Sequence, residues 1–344
     1  MKAWKLLCLG VAAMGAAAVA VPVLTVGPHA AAPAPRPVSS LDRPVPRAGT
    51  PYAQAVDFAH RYGLRVWIEA DLVKRWNEGP ESLNEAAMVI GSLARRPGVV
   101  GVKIADELGY RDGMDTPGKI SRFLADSVAA LHRTAPGKLV LVDAMVPELG
   151  CMPNFQPPLR WATICAAQAR GRYPQLALDQ FEGYLRTGLI DVLDLSTGLM
   201  PDRTYEGWGV DPDVAQRTAW QEVRRRGWDG LVQLHSRKAL AHPGRYADPD
   251  TAGIVSTFVD VPLAEGAKAV DIWTWRQAYQ GEIYRLLDPG LRRNDLWTAL
   301  AQRRAHGAVL FTHLSPRSVE AGLEADMKVI SEVFTDLFVA AGTG

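Results

Sequence analysis

From residue 51 onward, short apolar runs alternate with longer amphipathic stretches, and this alternation constrains the fold more than any other feature. Seven runs stand out: 65–71 (RVWIEAD), 99–107 (VVGVKIADE), 138–145 (KLVLVDAM), 190–197 (IDVLDLST), 230–236 (GLVQLHS), 269–276 (AVDIWTWR) and 307–313 (GAVLFTH). Between them lie helical patterns. Residues 52–62 carry Ala53, Val56, Phe58 and Ala59 in helical register, and 82–93 and 120–131 behave alike. Residues 213–226 end in a basic cluster, which suits a helix C-terminus. Strands alternating with helices require right-handed crossovers and a parallel sheet. Residues 51–344 suffice for one closed barrel, whose usual size is roughly 250 residues. A doubly wound open sheet would show a Gly-rich phosphate turn after an early strand, and none is present. The expected fold is therefore α/β, a parallel (β/α) TIM-type barrel. With seven runs found and a helix leading the domain, the expected irregularity is a cryptic or missing strand at the N-terminal side.

The chain before residue 51 differs. Lys2 and Lys5 precede an apolar stretch over 6–26, and small residues follow at 30–32. That order describes a secretory signal peptide over 1–31, with an uncleaved N-terminal anchor as the alternative. Cys8 is poorly placed for lipidation, since Leu7 precedes it. Residues 32–50 hold Pro33, Pro35, Pro37, Pro44 and Pro46 and read as a disordered linker. Export leaves Cys151 and Cys165. An oxidising compartment favours their pairing, which would close a loop of about fifteen residues and contribute roughly 3 kcal/mol. Two separate buried thiols are the alternative. The 38 basic and 37 acidic residues nearly cancel, so bulk-charge binding to nucleic acid or an anionic membrane is not expected.

Polar residues inside apolar strands need a reason. Trp67, Glu69 and Asp71 share one face of the first run, and Lys103, Ala105 and Glu107 one face of the second. Asp143 lies near the end of the third. Asp194 and Ser196 share a face of the fourth, Gln233 and His235 of the fifth, and Asp271, Trp273 and Trp275 of the sixth. His313 ends the seventh. Isolated charges are costly to desolvate, so such groups pair or reach solvent in a cleft. The C-terminal rim of a barrel is where these ends converge and where barrel enzymes keep their sites. The competing reading is structural: Asp143 and Asp194 as caps or ion pairs, and Glu69 with Lys103 as a lumen pair. Glu107 stands out because it ends its run beside Asp106, where the chain breaks into the polar loop 111–117. A Glu beside another acid at a strand end suits a general acid.

On these residues the chain resembles the glycoside hydrolase barrel superfamily, in many of whose members the acid/base Glu ends the fourth strand. The resemblance makes 66–71 a third strand, 190–196 a sixth, and 270–275 an eighth, with Trp273 or Trp275 on a sugar-binding floor. It departs in two places. Asp106 stands where Asn commonly precedes the Glu, and the run at the seventh-strand position ends in His235 without a nucleophilic carboxylate. The resemblance implies Glu107 as general acid/base; in an inverting mechanism Asp143, Asp194 or Asp271 would be the base, with Asp271 and Asp194 ranked first, and such a pair needs carboxyls roughly 6.5–9.5 Å apart. Asp106 beside Glu107, or Glu69 across the lumen, are the other partners. Glu69, Asp71, Asp106, Asp143, His235, Trp273, Trp275 and Arg276 are the candidate ligand contacts. Trp76 and Trp208 are further candidates for sugar stacking, whereas Trp161, Trp220, Trp228 and Trp297 read as helix packing.

Other chemistries lack their signatures. The seven His residues are scattered without metal-ligand spacing, so no metal is expected. There is no Gly-x-Ser-x-Gly elbow and no dinucleotide fingerprint, so no cofactor is expected. The sequence thus points to a secreted or extracytoplasmic barrel that acts on or binds a polysaccharide. The alternative is a catalytically inactive glycan-binding barrel at the cell surface.

Overall fold

A computed structural model describes residues 50–341, except Arg111 and Pro158. The proposed leader and nearly all of the Pro-rich linker lie outside the described residues. Among the described residues, no helix is long and apolar enough to cross a membrane.

Eight parallel strands form the centre: β1 Arg65–Glu69, β2 Val99–Ala105, β3 Leu139–Met145, β4 Val192–Ser196, β5 Gln233–Ala239, β6 Ala269–Tyr279, β7 Leu310–Leu314 and β8 Asp336–Ala340. Each pairs with the next, and β8 pairs back onto β1. The ring is closed, and the fold is a TIM-type barrel. All seven runs are strands. The eighth lies at the C-terminal end, which corrects the expectation of an irregular N-terminal strand. The leading helix, Pro51–Arg61, packs against β1, β8 and helix Leu323–Ile330. It covers the seam where the ring closes, so a helix that would otherwise follow β8 comes first in the chain. Thr50 caps it by accepting from the Ala53 amide at 3.3 Å, with Pro51 in the first turn.

The strand count also corrects the linear numbering implied by the resemblance. The runs taken as third, fourth, sixth and eighth are the first, second, fourth and sixth strands of this chain. Their spacing around the closed ring is unchanged: three steps still separate the strand of Glu107 from the run ending in His235.

The lumen has two layers. Its floor is apolar, built from Trp67, Leu141, Val192, Ala269, Phe311 and Phe338. Gly101 makes room for it, because a Cβ there would sit 2.3 Å from the Trp67 ring. The Trp67 indole donates to Asp336 at 3.2 Å, which satisfies its polar atom within the barrel. Above the floor the inward residues are charged.

Two excursions rise beyond the C-terminal rim. The β3–β4 connection carries helix Arg160–Arg172, tied down by a Cys151–Cys165 disulfide with Cα atoms 5.5 Å apart. Strand β6 overshoots the barrel and pairs antiparallel with Glu282–Arg285. Its pairing with β7 shifts register between Ile272 and Arg276, which breaks the simple alternation of faces.

Candidate active site at the barrel mouth

Three cations organise the upper lumen. Lys103 of β2 is fully buried, and its Nζ lies 2.9 Å from Glu69 of β1, 2.9 Å from Asp106 and 3.3 Å from Asp143 of β3. Arg237 of β5 places Nε 2.8 Å from Asp143, Nη2 3.2 Å from Asp106 and Nη1 3.1 Å from Glu107. His313 of β7 bridges Glu69 through Nδ1 and Asp271 of β6 through Nε2, both at 2.9 Å. Acids from β1, β2, β3 and β6 thus meet bases from β2, β5 and β7 in one network.

The charges settle each other. Burial opposes the Lys103 ammonium, but Asp106, Glu69 and Asp143 outweigh it and hold its pKa well above the ordinary value. Burial likewise opposes a charged His313, yet Asp271 and Glu69 push its pKa up to about 10, so it donates from both ring nitrogens. Burial raises Glu69, but His313 and Lys103 overcome this and bring it to about 2. Partial desolvation opposes the Asp106 charge, but Lys103 and Arg237 outweigh it and hold its pKa well below the carboxylate range, although the side chain stays half exposed. Asp143 goes the other way: burial drives it well above the ordinary range, although Arg237 and Lys103 pull it down.

Glu107 lies just past the end of β2, with φ 49°, a left-handed conformation that side chains with a Cβ seldom adopt. Two backbone bonds fix the turn, from the Leu108 amide to the Asp143 carbonyl at 2.9 Å and from the Tyr110 amide to the Glu107 carbonyl at 2.8 Å. Beyond it, Asp112 accepts from the amides of Gly109 and Met114, both at 2.8 Å. Gly109 has φ 80°, a left-handed conformation that glycine adopts without steric cost. The Glu107 side chain is 29% exposed and that of Asp106 56% exposed, so this tip presents carboxylates to solvent.

The structure gathers many of the residues singled out from sequence. Glu69, Asp106, Glu107, Asp143 and Asp271 all belong to the network, and the lumen pair Glu69–Lys103 forms. Asp71 stands near Asp106 and caps the helix Leu72–Glu78 through the Val73 amide at 3.2 Å; burial raises its pKa. Others lie elsewhere. Asp194 and His235 are fully buried and bonded to each other at 3.2 Å, with Gln233 on the far imidazole nitrogen at 2.7 Å. Asp271 is also fully buried, so neither Asp194 nor Asp271 faces water. Trp275 turns outward at the register shift; it is buried against Trp297, and its indole donates to Asp326 at 2.9 Å. It is a core residue rather than a ligand contact. Arg276 is engaged by Glu320 and Ser318, both at 3.1 Å. Trp273 is half-buried beside Tyr279 and Tyr284. Trp76 bonds Asp126 and packs on Phe123, and Trp208 packs on Tyr205. Trp220, Trp228 and Trp297 are buried, while Trp161 is exposed.

Arg237 was missed because the apolar run was ended at Ser236. The strand continues to Ala239, and the two-residue period through Gln233 and His235 leads to Arg237. At the opposite rim, a hollow of 510 Å³ is lined by residues that include Lys268, Arg303 and His306, but Arg303 is paired with Asp260 at 2.7 Å and the buried acids are absent there. The mouth is the chemically organised end.

No protein-family model matches this sequence, and no curated protein does. Among solved structures, the AHE enzyme from Alicyclobacillus herbarius is 15% identical over 74% of this chain and 77% of that one, with a TM-score of 0.49. Rhizobium etli pyruvate carboxylase T882A is 11% identical over 84% of this chain, with a TM-score of 0.40. This chain spans 24% of the carboxylase's length, about a quarter. A proposed alpha-L-fucosidase from Bacteroides thetaiotaomicron is 8% identical over 69% of this chain and 62% of that one, with a TM-score of 0.37. Likenesses this distant say nothing of activity, and the barrel assignment rests on the strand pairing itself.

Proposed function

We propose that this chain is an extracytoplasmic barrel that takes a polysaccharide at its mouth and cleaves it, with Glu107 as the group that meets the glycosidic oxygen. The observation that carries this reading is the left-handed backbone of Glu107, which directs a partly exposed carboxyl into a ring of buried charge. Unfavourable backbone conformations persist where the surrounding structure enforces them, and functional sites are where they gather. Anionic Asp106 beside it accepts hydroxyl hydrogens of the ligand. Half-buried Trp273 is the aromatic ring on which sugar C–H groups would stack. One guanidinium links Glu107, Asp106, Asp143 and Asp271, so these carboxyls lie within the roughly 10 Å over which paired-carboxylate hydrolases work. Arg237 occupies the β5 position where the resemblance would place a nucleophile, so a covalent double displacement finds no carboxylate there. The disulfide agrees with export to an oxidising compartment.

Binding without hydrolysis is the second reading, favoured by the complete burial of Asp194 and Asp271. The two separate in one experiment. The purified chain and Glu107→Gln are offered a polysaccharide panel, and both reducing-sugar release and calorimetric binding are measured. Release that Glu107→Gln abolishes while binding survives supports hydrolysis. Binding by both without release supports the second reading, and an equal rate of release from both removes Glu107 as the acid.

A further inference from the structure

We infer that Arg237 is the positioning residue of this mouth, a single guanidinium that fixes the direction of the Glu107 carboxyl by clamping it together with Asp106 and Asp143. This rests on the reading of Glu107 as the ligand-facing group. The geometry is specific. Two guanidinium nitrogens donate to different carboxyls, Nη1 to Glu107 at 3.1 Å and Nη2 to Asp106 at 3.2 Å, while Nε lies 2.8 Å from Asp143 as an ion pair without an aligned hydrogen bond. Asp271 lies 3.9 Å from the same Nε. The Arg237 side chain is only 12% exposed, so the cation is fixed from within the barrel while the two carboxyls it holds stay open to solvent.

The clamp answers a structural need. Glu107 sits past the end of its strand on a turn, where ladder bonds no longer hold the chain and the long side chain has several rotamers. A group that must meet one ligand atom needs its own support. Arg237 reaches it from β5, three strands round the ring from β2, and so ties two separated parts of the rim. Burial opposes its charge, but Asp143, Asp106, Glu107 and Asp271 outweigh that cost. Lysine would keep the charge but lose the planar fork whose Nη1 and Nη2 donate to Glu107 and Asp106 in fixed directions. The signal in the sequence is a cation, two residues after a lumen-facing His, at the place where the resemblance leads one to look for an acid.

The test is carboxyl ¹³C NMR of the full exported chain labelled at Asp and Glu, for wild type, Arg237→Met and Arg237→Lys. Glu107→Gln and Asp106→Asn serve to assign the two resonances. Arg237→Met is expected to raise the Asp106 titration by at least about one pH unit, the usual effect of removing an adjacent Arg. It is also expected to move the Glu107 resonance toward the freely rotating value. Arg237→Lys is expected to keep the Asp106 titration low while still releasing Glu107. Unchanged Asp106 and Glu107 signals in Arg237→Met overturn the proposal. Should that variant not fold, an unchanged Glu107 resonance in Arg237→Lys overturns it. Equal sugar release by wild type and Glu107→Gln would defeat the hydrolase reading but leave these signals where they are, so the two failures are distinguishable.

Discussion

The floor and the mouth of this barrel are built on the same strands, a residue or two apart, yet they are held by opposite physics. The floor is a plug of Trp67, Leu141, Val192, Ala269, Phe311 and Phe338, which gains from burial and contact and has few directional demands. The mouth is a charge network in which each buried group depends on a partner a few ångströms away. Phe338 belongs to both: it packs in the floor, the His313 ring stacks on it with centroids 4.7 Å apart, and the Lys103 ammonium lies 5.4 Å from its centroid. A dry floor keeps water from beneath the charges and so strengthens their interactions. The lesson is that the apolar layer makes the ionic layer both strong and fragile.

Four experiments can break or sharpen this contrast. The largest effect should come from Lys103→Met, which strands Glu69, Asp106 and Asp143 around an apolar side chain. We expect a loss of about 3–5 kcal/mol in denaturant unfolding, the usual cost of removing one partner of a buried charge pair. A loss under about 1 kcal/mol would show that the network is not held by its lysine.

Next comes pH. The folded-state pKa of His313, about 10, lies above its ordinary 6.5, so its stabilisation is complete below pH 6.5 and fades as pH rises through 10. Glu69, at about 2 against an ordinary 4.5, contributes fully above pH 4.5 and loses its contribution as pH falls toward 2. Stability should therefore decline on both sides of the interval between pH 4.5 and 6.5. His313→Gln should flatten the decline between pH 7 and 10; an alkaline slope identical to wild type would contradict the bridging role.

The floor should respond to volume rather than to charge. Gly101→Ala forces a Cβ against the Trp67 ring and should cost about 1–3 kcal/mol, with no dependence on pH between 5 and 9. A strongly pH-dependent loss would mean that the two layers are not separable. The smallest effect, and the one of opposite sign, is expected for Glu107→Gly. Relief of the left-handed backbone should stabilise the fold by about 0.5–1 kcal/mol while ligand turnover is lost. A destabilised Glu107→Gly would argue that the turn is not strained in the way its backbone implies.

Seven strands are legible because each is a short run drawn mainly from Val, Ile, Leu and aromatic residues and separated from the next by a longer helical stretch. The eighth, DLFVA at the C-terminal end, follows helix Leu323–Ile330 after a few residues rich in apolar side chains. A short apolar run of that kind carries no period by which to tell it from a continuing helix. The acidic tips were legible for a related reason: in strands otherwise made of Val, Ile and Leu, each charge is an exception that demands a partner. Trp275 misled because strict alternation was carried across a register shift, which is a property of the pairing with β7 rather than of β6 alone. Arg237 is hard to read from sequence because RKA follows Ser236 without the apolar residues that mark a strand, although the strand continues to Ala239.

By itself, the sequence determined that this chain builds parallel strands covered by helices and that acidic groups gather at their C-terminal ends. Periodicity and the cost of burying isolated charge are local facts that can be read along the chain. Only the tertiary structure decided which acids face water, which are sealed beneath the mouth, and which base each one meets. Those outcomes depend on ring closure, which brings β8 against β1 and carries Arg237 across to Glu107, contacts between residues far apart in the chain that no local pattern encodes.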